Sequence, residues 1–188
     1  MGDIKTEIFV ADIPEILPDM MESLTDAGTI TALPAVPACI SQRRLTFTKR
    51  GISAVPRHWL RSIPDGSLIG FLAADEKGII QLWGASPNGG DVKQLTFLSS
   101  SISSPINFCP NGEFASYVSD GRIYITRLSD LKTFPGPEEK EAHERPVGAV
   151  VWSPTGKELC YNRYVRNSNG MFLQIFLLKL KGIHSEEL

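Results

Sequence analysis

Three tight-turn signatures at near-constant spacing constrain this chain more than any other feature: Pro64-Asp65-Gly66, Pro110-Asn111-Gly112 and Pro154-Thr155-Gly156. Proline to proline, the spacings are 46 and 44 residues. A period near 45 belongs to propeller blades, each built of about four antiparallel strands. Proline presets φ for the first corner, Asp, Asn or Thr bonds the local backbone, and glycine takes the positive-φ corner. Such a turn joins two antiparallel strands.

The flanks fit that reading. Trp59–Ser62, Ile106–Phe108 and Val150–Ser153 precede the turns, and Leu68–Leu72, Phe114–Val118 and Glu158–Tyr161 follow them. Third strands are predicted at Ile79–Trp83, Arg122–Thr126 and Phe172–Leu177. All are short, β-branched and aromatic, as strands should be. A second mark also recurs. Arg44-Leu45-Thr46-Phe47 and Gln94-Leu95-Thr96-Phe97 lie 50 residues apart and read as outer, fourth strands.

These marks predict an all-β chain, a partial β-propeller of about three antiparallel blades plus part of another, with little helix. The complete blade is residues 57–98. The next spans about 103–130 and has no obvious outer strand. The third spans about 147–181. Thr6–Asp12 reads as the third strand of an earlier blade, and a short helix is predicted around Glu15–Leu24. The segment from Phe134 to Pro146 reads as a loop. The predicted organisation is 1–42 as a partial blade with a proline-containing loop, 43–181 as blades, and 182–188 as a polar tail.

Composition agrees with a folded domain. Hydrophobic residues make up 42% and charged residues 21% of the 188 residues, enough apolar material for a core. The net charge of −2, with Lys and Arg scattered, argues against a nucleic-acid surface. No stretch approaches the ~18–20 consecutive apolar residues of a membrane helix. Cys39, Cys109 and Cys160 have neither disulfide nor CxxC spacing and read as buried or half-buried free thiols. The start has no export-signal layout, so a true start at Met1 implies the cytoplasm.

The order Leu-Thr, Trp-containing strand, Ser-x-Pro-Asp-Gly, Ala/Gly-Phe/Tyr strand resembles the propeller repeats of TolB-like (WD40-like) proteins. Arg61-Ser62-Ile63-Pro64-Asp65-Gly66-Ser67 and Val151-Trp152-Ser153-Pro154-Thr155-Gly156-Lys157-Glu158 carry it best. The resemblance covers residues 43–180, and Arg43–Phe97 looks like TolB-related proteins of unassigned function. It implies the propeller fold and a protein partner. It also implies a periplasmic location if an N-terminal signal has been lost. The same repeats form the gating propeller of prolyl-oligopeptidase-type hydrolases, so a regulatory propeller without its catalytic domain is the alternative to a non-enzymatic interaction module. Propellers close with 4–8 blades, so the chain is expected either to be part of a larger ring or to complete one as a homodimer.

No catalytic, cofactor or metal motif is present. There is no Gly-x-Ser-x-Gly elbow, no Walker loop and no paired histidines; His58, His143 and His184 lie far apart. Trp59, Trp83 and Trp152 read as blade-packing residues. Arg57, His58 and Arg61 bracket the start of an inner strand, where propeller loops lie near the channel. They read either as a binding surface for an acidic group or peptide, or as groups that solvate a loop and bond neighbouring blades. Asn162 and Arg163 form a second candidate of the same kind.

Overall fold

The computed structural model describes residues 5–15, 29–31, 40–53 and 59–181. Four antiparallel sheets follow one another along the chain. Blade 1 pairs β1 (Phe9–Asp12) with β2 (Ser41–Arg44). Blade 2 holds β3 (Arg61–Ser62), β4 (Ile69–Ala74), β5 (Ile80–Ala85) and β6 (Lys93–Gln94), paired in that order. Blade 3 repeats the plan with β7 (Asn107–Phe108), β8 (Phe114–Ser119), β9 (Arg122–Arg127) and β10 (Thr133–Pro135). Blade 4 has three described strands, β11 (Val147–Trp152), β12 (Glu158–Asn167) and β13 (Gly170–Lys179). This is the expected partial propeller. Helix among the described residues is one 3-10 turn, Ala142–Glu144. Apart from Glu15, the helix expected around Glu15–Leu24 lies outside the described residues, as do the tail 182–188 and Cys39. The expected boundary after residue 42 falls inside β2.

The three signature turns share one hydrogen-bond pattern. Gly66, Gly112 and Gly156 sit at φ 75, 76 and 70°. Their N–H groups donate to the carbonyls of Ile63, Cys109 and Ser153. One further bond closes each hairpin: Ile63 N–H to Leu68, Cys109 N–H to Phe114 and Ser153 N–H to Glu158. A Cβ on glycine at that φ would strain the turn, which is why glycine recurs there.

Two expectations about outer strands are corrected. Blade 3 does have one: Thr133-Phe134-Pro135 pairs with β9, although the prolines around it suggested a loop. Proline is tolerated there because an edge strand needs no inter-strand donor on its outer side. The Leu-Thr-Phe segments, in contrast, continue past their strands rather than forming them. β2 ends at Arg44 and β6 at Gln94, and the reason is the threonine hydroxyl described below.

The core lies between blades. Ile8, Leu45, Phe71, Ala73 and Ala85 join blades 1 and 2. Leu72, Leu82, Leu95, Ile106 and Tyr117 join blades 2 and 3. Val118, Ile123, Ile125, Val150, Trp152 and Tyr161 join blades 3 and 4. Trp152 and Trp83 pack against these clusters, but Trp59 is exposed. Counting from the turn prolines, Trp152 corresponds to Ser62 and Phe108, so Trp59 does not share its place.

Candidate functional site

Blades 1 and 2 carry the same lock between the third strand and the segment after the outer strand, and blade 3 has a different one. In blade 2, Leu95 N–H donates to the Leu82 carbonyl (2.8 Å), and Leu82 N–H donates to Thr96 Oγ1 (2.9 Å). Thr96 Oγ1 donates to Gln81 Oε1 (2.8 Å), which also accepts Leu98 N–H (3.1 Å). The hydroxyl thus stands in for a main-chain carbonyl, which ends the ordinary ladder at Gln94. Blade 1 repeats this group for group. Leu45 N–H meets Ile8 O, Ile8 N–H meets Thr46 Oγ1, and Thr46 Oγ1 donates to Glu7 Oε2. Thr48 N–H donates to Glu7 Oε1 (2.9 Å) and Arg44 Nη2 lies 3.1 Å from it. Burial pushes the Glu7 carboxyl up, but the bonds from Thr46 and Thr48 and the Arg44 charge outweigh it and hold it below its ordinary value. Blade 3 uses Arg122, whose Nη2 donates to Gly136 O, while Gly136 N–H meets Ile123 O. The repeated Leu-Thr-Phe was visible in the sequence; its partners Glu7 and Gln81 were not, because no local pattern marks them.

The register identifies corresponding third-strand residues. Leu82 pairs with Leu72, Ile123 with Val118 and Ile175 with Asn162, and each partner stands eight residues past its turn proline. Ile8 takes the same place through the lock. Ile8, Leu82 and Ile123 are 1%, 0% and 2% exposed; Ile175 is 72% exposed. Two residues further along, Ile125 is 5% exposed and its counterpart Leu177 is 65% exposed. In blades 1 to 3 this side packs on the next blade. In blade 4 nothing described covers it.

Cross-strand partners point to the same side of a sheet. The uncovered side therefore carries Val151, Cys160 and Leu177 in one row, Asn162 with Ile175, and Tyr164 with Leu173. The hairpin of β12 and β13 runs ten residues per strand, against six for the second and third strands of blades 2 and 3. It extends the apolar surface on that side with Met171. Among the described residues β13 carries the longest run of exposed apolar side chains on one strand.

The residues singled out from the sequence are dispersed. Arg57 and His58 lie outside the described residues. Arg61 is in β3 and its Nε donates to Asn107 Oδ1 (3.3 Å), which ties blade 2 to blade 3. Asn107 also donates from Nδ2 to Val150 O (2.8 Å), stitching blade 3 to blade 4. Arg163 is two blades from Arg61. Its Nη1 lies 2.9 Å from Glu139 Oε2 and its guanidinium stacks 4.0 Å from the Phe176 ring. Asn162 is half-buried on the uncovered side. A separate cleft of about 410 Å³ lies between blades 1 and 2, lined by Phe47, Arg50, Asp75, Glu76 and Trp83 among others. Its charges are of both signs. Among the described residues no three His, Cys, Asp or Glu side chains converge, and no helix is long and apolar enough to cross a membrane. Cys109 is buried, which raises its thiol pKa; Cys160 is half-buried.

No family model matches the chain. The chain is 38% identical over 167 residues to the uncharacterized protein YidR of Escherichia coli (strain K12). The match takes in 85% of this chain and only 40% of the length of that curated relative. Solved structures share the fold. The tricorn protease crystal structure superposes at TM-score 0.56 with 13% identity, over 76% of this chain and 13% of that one. A TolB-assigned protein from Agrobacterium tumefaciens gives 0.53 with 18% identity, over 79% and 49%. TolB from Acinetobacter baumannii gives 0.50 with 21% identity, over 72% and 32%. At these identities the likeness speaks for a TolB-like β-propeller architecture alone.

Proposed function

We propose that this protein is a non-enzymatic β-propeller interaction module whose working surface is the uncovered side of blade 4. One observation carries the reading: Ile175 is open to solvent at a position that blades 1 to 3 bury against a following blade, and Leu177 is open where blade 3 buries Ile125. The fitting occupant is therefore another propeller blade. A second copy of this chain is the simplest source, because blade 1 carries an apolar strip of the opposite sense that nothing among the described residues covers. There Phe9 and Ile13 are exposed, while Val10, on the other side of β1, packs towards blade 2. Contact between the blade 4 side of one copy and the blade 1 side of its partner, made twice about a two-fold axis, closes a ring.

Light scattering on the purified chain tests this. The expected mass is twice the 20.7 kDa of one chain. Ile175→Glu and Phe9→Glu each give a monomer with unchanged strand content by circular dichroism. A mixture of the two variants recovers dimer through its one intact contact. A wild-type monomer, or a dimer that Phe9→Glu leaves whole, refutes the arrangement.

A further inference from the structure

The cleft between blades 1 and 2 opens at a joint that its counterpart between blades 2 and 3 seals. In that counterpart, residues 97–101 leave the outer strand and are tied down. Ser119 Oγ donates to the carbonyls of Ser100 (3.0 Å) and Ser101 (3.2 Å). Residues 47–51 take the same course between blades 1 and 2. The matching bonds are Ile52 N–H to Thr6 O and Ile102 N–H to Ile80 O. Ser119 stands nine residues past its turn proline, and the residue nine past Pro64 is Ala73, which has no hydroxyl to give. The turn beyond is also longer, because β4 ends at Ala74 and β5 starts at Ile80, whereas β8 ends at Ser119 and β9 starts at Arg122. Residues 47–51 are therefore not sealed onto blade 2 in this way. A cleft of about 410 Å³ stays open, within the ~300–1,000 Å³ of small-molecule sites.

The lining is set in advance. Trp83 donates from Nε1 to the Ala73 carbonyl (3.0 Å), which fixes its indole in the wall. Phe47 is 75% exposed, with the Arg44 guanidinium 4.3 Å from its ring centroid. The Asp75 carboxylate is engaged inside the fold, where it accepts Lys77 N–H, Ile79 N–H and Gln81 Nε2. Lys49, Arg50 and Glu76 are exposed and join no ion pair among the described residues. Arg50 reaches across to the turn, its Nη1 3.4 Å from the place a Cβ on Gly78 would take. Two unengaged cations against one unengaged acid, beside two aromatic rings, favour an anion with a flat apolar body. We infer that the cleft binds a small planar carboxylate, its body against Phe47 and Trp83 and its anionic end on Arg50 and Lys49. A guanidinium offers a carboxylate two parallel donors, and the aromatic walls supply a large apolar contact. Glu76 repels a second negative charge and accepts from a hydroxyl or amino group of the ligand. The site is independent of the blade 4 surface.

The probe is 2-naphthoate, titrated into the full chain by isothermal titration calorimetry. Saturable binding of one probe per chain is expected. Arg50→Gln should weaken it about tenfold, the cost of one charge-assisted contact. Phe47→Ala should weaken it about fivefold through the lost ring contact. Both side chains are exposed, so neither change disturbs the core, and circular dichroism checks that the strands are kept. The same flat body with the opposite charge, 2-naphthylmethylammonium, should bind at least tenfold more weakly than 2-naphthoate. Ile175→Glu alters only the far side of blade 4 and should bind 2-naphthoate like the wild type, whether or not two copies form a ring. Absence of saturable binding, equal binding of the ammonium probe, indifference to Arg50→Gln or Phe47→Ala, or loss of binding in Ile175→Glu would each overturn the assignment.

Discussion

Thr96→Val removes one hydroxyl and keeps the shape of the side chain, so it isolates the lock from packing. Thr96, Gln81 and Leu82 are all fully buried. The substitution removes the bond from Leu82 N–H and the bond to Gln81 Oε1. Gln81 keeps Leu98 through both ends of its amide, so its loss is partial. The Leu82 N–H keeps nothing, and a buried donor left unpaired costs about 1–3 kcal/mol. With about 1 kcal/mol for the second bond, the expected loss is about 2–4 kcal/mol. In a chain of this size that lowers the melting temperature by roughly 5–10 °C. Thermal unfolding followed by circular dichroism, with urea unfolding as a second reading, measures it. Thr155→Val is the control, because Thr155 bonds Ser153 at an exposed turn; its change should stay within about 0.5 kcal/mol. If Thr96→Val is as mild as Thr155→Val, the hydroxyl is not replacing a ladder carbonyl.

Acidification should unlock blade 1. The folded-state pKa of Glu7 is lowered, so its contribution is fully present above the ordinary value of 4.5 and is lost as pH falls through the lowered one. Glu7→Gln should therefore flatten the fall of the urea midpoint on acidification, and a slope as steep as the wild type's would contradict this. Gly70→Ala should destabilise by about 1–3 kcal/mol, because its Cβ would lie 2.5 Å from Phe108 Cζ and 2.9 Å from Ile106 Cδ1 across the joint of blades 2 and 3; an unchanged urea midpoint would show that the joint gives way freely. Cys160 lies in the row with Val151 and Leu177, so iodoacetamide should label it more slowly in the assembled wild type than in Phe9→Glu, and equal rates would place the contact elsewhere. A covalent serine-hydrolase probe should leave the chain unlabelled; labelling would favour the hydrolase reading.

The turns, the blade period and most strands follow from the sequence because their causes are local. A Pro-x-Gly corner needs a particular φ at one glycine, and an alternating β-branched run needs only its own two sides. Gly66, Gly112 and Gly156 carry that information within four residues of chain. The strand at Thr133–Pro135 was hidden because proline signals a loop locally, and only the pairing with β9 shows that its missing donor faces outward. The locks were half visible: Leu-Thr-Phe repeats along the chain, but Glu7 lies 39 residues from Thr46 and Gln81 lies 15 from Thr96, so the partnership exists only once the strands are side by side. The uncovered side of blade 4 could not be read from composition at all. Ile123 and Ile175 are the same residue type in the same strand position, and what separates the buried one from the exposed one is whether another blade stands beside it, which only the tertiary structure decides.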